Sequence, residues 1–231
     1  MAMATLPTTH DAARASVQRT RDQARSAMIA MGSVGALEAL CCAFNDLDVP
    51  GVLCQLSCYA AWVVAAVFYC RWLHSAYGDA VLLGRPPPRF TPQQAVASFF
   101  VPFVGFYRPY QVIVGLHEAS DPREPGDARA PSSGAPSWEK PFPVRSWWAL
   151  WLLAPVLTSI LDNASVLTQL GSLDVLTDPS ALLSQESGGD GVWRALAALI
   201  HVSLAVLAIG VVRSIVFRQG ERLRRLEGRD P

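Results

Sequence analysis

Residues 51–73 read GVLCQLSCYAAWVVAAVFYCRWL, and this stretch decides the fold class. Its only charge, Arg71, stands close to its end. A helix rising ~1.5 Å per residue needs about 20 apolar residues to cross ~30 Å of hydrocarbon, and this block is long enough. Two further blocks match it: WWALWLLAPVLTSILDNASVLTQ at 147–169 and WRALAALIHVSLAVLAIGVVRSIVF at 193–217. A weaker one, AMIAMGSVGALEALCCAFN at 27–45, carries Gly32, Gly35 and Glu38. The expectation is an all-α, polytopic membrane protein with four transmembrane helices in a domain over 27–217. Composition agrees, since only 16% of residues are charged, against roughly a quarter in soluble domains.

The basic residues set the orientation, because they are retained on the cytoplasmic side. Arg14, Arg19, Arg21 and Arg25 precede the first block. Arg85, Arg89, Arg108, Arg123, Arg129, Lys140 and Arg145 lie between the second and third. Arg218, Arg222, Arg224, Arg225 and Arg229 follow the fourth. The turn at 46–50 and the loop at 170–192 hold no Lys or Arg, only acidic residues such as Asp46, Asp48, Asp174 and Glu186. Both termini and the 74–146 region are therefore expected in the cytoplasm. Residues 1–26, charged up to the start of the apolar stretch, read as a cytoplasmic N-terminal segment rather than a secretory signal. Trp147, Trp148, Trp151 and Trp193 mark helix ends at headgroup level.

A shorter apolar run, AVASFFVPFVGFY at 95–107, is interrupted by Pro102 and Gly105. It is too short to span. It is expected to lie at the interface, to dip in and return, or to form a buried cytoplasmic hairpin. Residues 74–120 thus read as an interfacial helical hairpin module. Residues 121–146, rich in Pro, Gly, Ser and Ala, read as a flexible linker. Residues 218–231 read as a basic cytoplasmic tail.

Three stretches carry a resemblance: RWLHSAYGDAVLLG (71–84), RFTPQQAVASFFVPFVGFYRPYQVIVGLHEASDP (89–122) and SWWALWLLAPVLTSILDNAS (146–165). The chain from Tyr69 to Asn163 resembles a bacterial membrane family called domain of unknown function 4328. The RPYQ block at 108–111 is its most specific part. The resemblance implies a multi-pass membrane protein with a cytoplasmic connecting module, in a bacterial plasma membrane. It implies no activity. The first helix and the five cysteines lie outside what is recognised.

Polar groups inside hydrocarbon are costly, so their placement is informative. Glu38 shares a face with Gly35, Cys41, Cys42 and Asn45. Asp162 shares one with Pro155, Thr158, Ser159 and Ser165. Arg194 and His201 share a face of the last helix. Depth along the helices pairs Glu38 with His201 and Asp162 with Arg194. Each pair reads as a functional site, or as polar glue between helices. Tyr107, Arg108 and Tyr110 are candidates for holding lipid at the interface. Arg108 has lipid phosphate, Asp79 and Glu118 as alternative partners. Cys41 or Cys42 can meet Cys54 or Cys58, as a disulfide, a metal site or small apolar filling.

The chain carries no GxxxxGK loop, no HExxH and no GxSxG, and its Ser, His and Asp residues are scattered. No catalytic residue, metal or cofactor is expected. Basic residues flank spans without forming a nucleic-acid patch. The partners expected are the lipid bilayer and, within it, a second copy or another membrane protein. The reading is a non-enzymatic scaffold, sensor or accessory subunit. The alternatives are a small transporter or channel using Glu38 and Asp162, and a lipid-binding or lipid-modifying protein.

Overall fold

Without a proline between Thr9 and Phe44, the chain forms one unbroken helix, α1, over Thr9–Phe44. No break appears where the cytoplasmic segment was expected to hand over to the first span. The computed structural model describes residues 9–44, 48–83, 89–122, 142–170 and 190–228, and all regular structure among them is helical. α2 covers Asp48–Leu82, so the span read at 51–73 continues well beyond its apolar block. Gly84 and Pro86 follow in the sequence, residues that end helices.

α3 is short, Pro92–Ala97. It starts on a capping box: the Thr91 hydroxyl accepts from the Gln94 backbone N–H at 3.2 Å, and the Gln94 side-chain oxygen accepts from the Thr91 N–H at 3.1 Å. A 3₁₀ turn at Val104–Phe106 leads into α4, Arg108–Ala119. Pro109 falls in its first turn, where a missing N–H is harmless. α5 runs Phe142–Leu170 with Pro155 inside. The Thr158 hydroxyl donates to the Ala154 carbonyl at 2.9 Å, beside the bond the proline removes. α6 runs Asp190–Glu227.

Contacts along the helices fix their directions. α1 and α2 are antiparallel: Ser16 meets Asp79 at one end, Glu38 meets Trp62 midway, and Cys41 meets Cys54 at the other. α1 and α6 are antiparallel too, from Arg14–Glu227 to Gly35 against Ala205. α5 packs on α6, while α2 and α5 scarcely touch among the described residues. The result is a bundle open along one seam.

Two zones differ in kind. Near the ends rich in basic residues, a closed core buries Trp72, Leu73, Ala76, Tyr77 and Ala80 of α2. Val112, Ile113 and Leu116 of α4 and Val211, Val212 and Ile215 of α6 complete it. In the other zone the largest apolar side chains face outward: Val52, Leu53, Val63, Val156, Ile160 and Val206 are all exposed. An extended apolar exterior of this size marks a surface made for something other than water.

Three helical stretches among the described residues are long and apolar enough to cross a membrane: Val52–Leu82, Val144–Leu161 and Ala195–Glu227. The first span, expected at 27–45, is not among them. Glu38, Ser33, Gly32 and Gly35 dilute its apolar character. It nevertheless runs beside the apolar halves of both α2 and α6.

The cysteines expected to meet across the first hairpin do so. Cys41 and Cys54 form a disulfide with their Cα atoms 5.7 Å apart. It staples the end of α1 to the start of α2.

Candidate functional site

Gly35 lets α1 and α6 approach closely. A Cβ at that position would stand 3.5 Å from the Ala205 Cβ and 3.7 Å from the Val202 Cα. Small residues at such crossings let backbones pack without a hydrophobic drive between helices. One turn away, this contact delivers Glu38 and His201 to the same ring. The Trp62 indole N–H donates to Glu38 Oε1 at 3.0 Å. The His201 ring stands edge-on to Trp62, with centroids 6.2 Å apart at 73°. The two residues expected to pair each meet Trp62, an aromatic of α2. Trp62 escaped the sequence reading. The signal was there: a tryptophan about midway along an apolar block, far from the interface where such rings usually sit.

Asp162 and Arg194 lie on α5 and α6. Their side chains, and the pairing expected of them, fall outside the described residues.

Trp62 also walls the open seam. A cavity of about 170 Å³ is lined by Trp62, Ala66, Tyr69, Trp147, Trp151 and Leu204, among others, and nearly all its surface is apolar. It adjoins a second of about 410 Å³, which shares Trp62, Trp151 and Leu204 and adds Phe106, Thr158 and His201. The seam between α2 and α5 is therefore a cleft, apolar in its smaller cavity and more polar in the larger one, where Thr158 and His201 stand.

The RPYQ block braces this cleft from the side. Tyr107 and Arg108 are exposed, while Pro109 is buried. The Tyr110 ring lies 6.4 Å from Trp148. Trp148 in turn stacks on Trp151 with centroids 4.9 Å apart and planes 10° from parallel. Aromatic contacts of this kind are worth about 0.5–1.5 kcal/mol beyond their area. The block therefore fixes α4 to the tryptophan-rich start of α5. Asp79, one of the partners weighed for Arg108, instead accepts from the Ser16 hydroxyl. Phe100, Phe103 and Phe106 project outward from the segment between α3 and α4. Phe103 has a φ of 61°, a left-handed conformation that a bulky residue adopts only under constraint.

A polar cluster in the closed core also escaped the sequence. Gln219 donates to the Ala76 carbonyl at 2.9 Å, and Arg222 donates to the Leu83 carbonyl at 2.9 Å. Arg222 reaches the Asp121 carbonyl as well, at 3.1 Å. The Tyr77 hydroxyl donates to the Val112 carbonyl at 2.7 Å. His117 is buried, and burial, reinforced by Arg218, lowers its pKa to about 4 against the pull of Asp121. Asp79 is fully buried on the face of α2 that holds Trp72 and Ala76. A carboxylate at that helical spacing was the one legible sign of this cluster.

Among the described residues no group of three or more His, Cys, Asp or Glu is placed to hold a metal. The family described as domain of unknown function (DUF4328) matches residues 42–216. The chain belongs to this family. The match takes in α2 through most of α6, so the tryptophans of the cleft lie within the DUF4328 region, whereas most of α1, with Glu38 and the lining residues Met31 and Val34, lies before it. No curated protein and no solved structure matches the chain.

Proposed function

We propose that this DUF4328 protein is a non-enzymatic accessory or sensor subunit of the bacterial plasma membrane that takes a lipid acyl chain into the cleft between α2 and α5. In this reading α1 is a fourth crossing, both termini are cytoplasmic, and the segment from α3 to α4 rests at the interface. The disulfide supports the orientation: Cys41 and Cys54 join at the hairpin end expected outside, and disulfides persist in oxidising compartments.

The cleft is the observation that carries the lipid reading. The two cavities adjoin, and sites for small molecules occupy ~300–1,000 Å³ with mostly apolar walls. The two helices that bound it, α2 and α5, carry exposed apolar side chains such as Val63, Val67 and Leu153. In a bilayer the medium around them is acyl chain rather than water. One contact weighs against transport through Glu38: its carboxylate is engaged by an indole, and the smaller cavity walled by that indole is almost wholly apolar.

The test uses the full chain reconstituted in phosphatidylcholine and phosphatidylglycerol nanodiscs with a phospholipid carrying a diazirine in mid-chain. Photolabel should map to peptides holding Trp62, Trp151 and Leu204. Ala66→Phe, which fills the cleft, should abolish that labelling, while Ala60→Phe, on α2 outside the cavity lining, should preserve it. Labelling spread evenly over the exposed faces of α2 and α5, unchanged by Ala66→Phe, would sink the lipid reading. Proton or ion flux into sealed vesicles would favour the transporter instead.

A further inference from the structure

Cys58 lies one helical turn beyond Cys54 on α2, and its Sγ stands 3.2 Å from the Sγ of Cys41. Cys41 is already bonded to Cys54. Three sulfurs therefore gather where α1 meets α2, with Cys41 between two candidates on one face of the facing helix. Thiol–disulfide exchange needs a thiolate with access to one sulfur of an existing disulfide, at a rate set by the attacking and leaving thiols.

We propose that the trio is a thiol–disulfide exchange site in which Cys41 passes between Cys54 and Cys58. The Cys58 thiolate attacks Cys41 Sγ. The Cys41–Cys58 bond forms as the Cys41–Cys54 bond breaks, and the leaving electron pair resides on Cys54 Sγ. Cys54 takes up the proton that Cys58 gave. There is no net oxidation, so no outside oxidant or reductant is required. α1 and α2 stay cross-linked throughout, with the link displaced by one turn of α2.

The exchange changes which thiol is presented. Cys58 is buried, whereas Cys54 is half-exposed. The step moves a thiol from a sheltered position to a reachable one. Cys54 then becomes the point at which a small-molecule disulfide or the disulfide of another protein can be attacked, giving a mixed disulfide there. This rests on the sulfur positions alone and stands apart from the lipid reading of the cleft.

The experiment maps cysteine states in the purified, unreduced full chain after an acid quench, alkylation and peptide mass spectrometry. Both the Cys41–Cys54 and the Cys41–Cys58 peptides are expected in the wild type. Alkylation of Cys54 should be lost in Cys58→Ser. Cys54→Ser should retain a disulfide, now joining Cys41 to Cys58. Oxidised glutathione should form an adduct at Cys54 of the wild type and not in Cys58→Ser. A wild type holding only Cys41–Cys54, with no glutathione adduct at Cys54, overturns the proposal without reliance on any variant. So does a Cys54→Ser chain in which Cys41 and Cys58 are both alkylated.

Discussion

The indole N–H of Trp62 donates to Glu38 across the α1–α2 hairpin at 3.0 Å, in the same zone where the large apolar side chains face outward. A hydrogen bond to an ionised or polarised acceptor stabilises more than a neutral pair does, and leaving such an acceptor unpaired costs about 1–3 kcal/mol. Trp62→Phe keeps most of the ring and deletes the donor. It should lower thermal stability by about that amount. Glu38→Gln keeps an acceptor oxygen for the indole and should unfold close to the wild-type temperature. Both are read by thermal denaturation in a fixed lipid or detergent. Equal melting temperatures for wild type and Trp62→Phe would remove this bond from any account of stability.

Gly35 governs how near α1 and α6 can come. Gly35→Ala places its new atom at ordinary contact distance from Ala205 and should be tolerated. Gly35→Leu forces branched bulk into a filled crossing, and overpacking of that sort costs typically ~1–3 kcal/mol. The comparison of the two melting temperatures checks this, with only the leucine variant expected to fall.

His117 gives a pH dependence with a definite sign. Its pKa is lowered to about 4 in the fold, from an ordinary value of 6.5. Between those values the unfolded chain binds a proton that the folded chain excludes. Stability is therefore whole above pH ~6.5 and is lost as pH falls toward 4. His117→Leu removes the titrating ring from a site that is already buried. Melting temperatures taken from pH ~7 down to pH ~4.5 should fall less steeply for this variant than for the wild type. Parallel curves would show that other groups set the acid limit.

Ser16 gives the buried carboxylate of Asp79 a donor from another helix. Ser16→Ala should destabilise the chain by about 1–3 kcal/mol, the typical cost of withdrawing a partner from a buried polar group. Asp79→Asn in the Ser16→Ala background should recover part of the loss, since the neutral amide is cheaper to bury. A double variant no more stable than the single one would show that the charge is not the problem.

The apolar blocks were legible because three of them are long and nearly free of charge, and the helices α2, α5 and α6 grew from them. The ends of α2 and α6 were not, because both run on as helix well beyond the apolar limit, whereas α5 stops within one residue of its block. The continuation of α2 through Ala80, for example, buries one face against α4 and α6 rather than against lipid. α1 was the weakest block in the sequence and is the one that does not qualify by length and apolar character. Depth along single helices suggested Glu38 and His201 as a pair, but it could not name Trp62, the residue that each of them meets. The Trp62 contact depends on the rotation of α2, which only packing sets. The Tyr110–Trp148 contact has the same origin: both motifs were visible in sequence, and nothing in their spacing said that one leans on the other. Cys41 and Cys54 were among four pairings the spacing allowed, and the packing of α1 on α2 brings Cys41 to Cys54 with Cys58 alongside.

Arg222 was counted among the tail residues that hold the C-terminus in the cytoplasm. Its side chain is almost wholly buried, and it ties the Leu83 carbonyl, just past α2, and the Asp121 carbonyl, just past α4, to α6. A guanidinium committed in this way is not presented to anionic headgroups. In the proposed cytoplasmic placement the tail thus offers a charged bilayer fewer exposed arginines than its count implies. Salt that loosens the tail from the lipid surface should leave this internal clamp untouched, so detachment from headgroups and loss of fold are separable events at this end of the molecule.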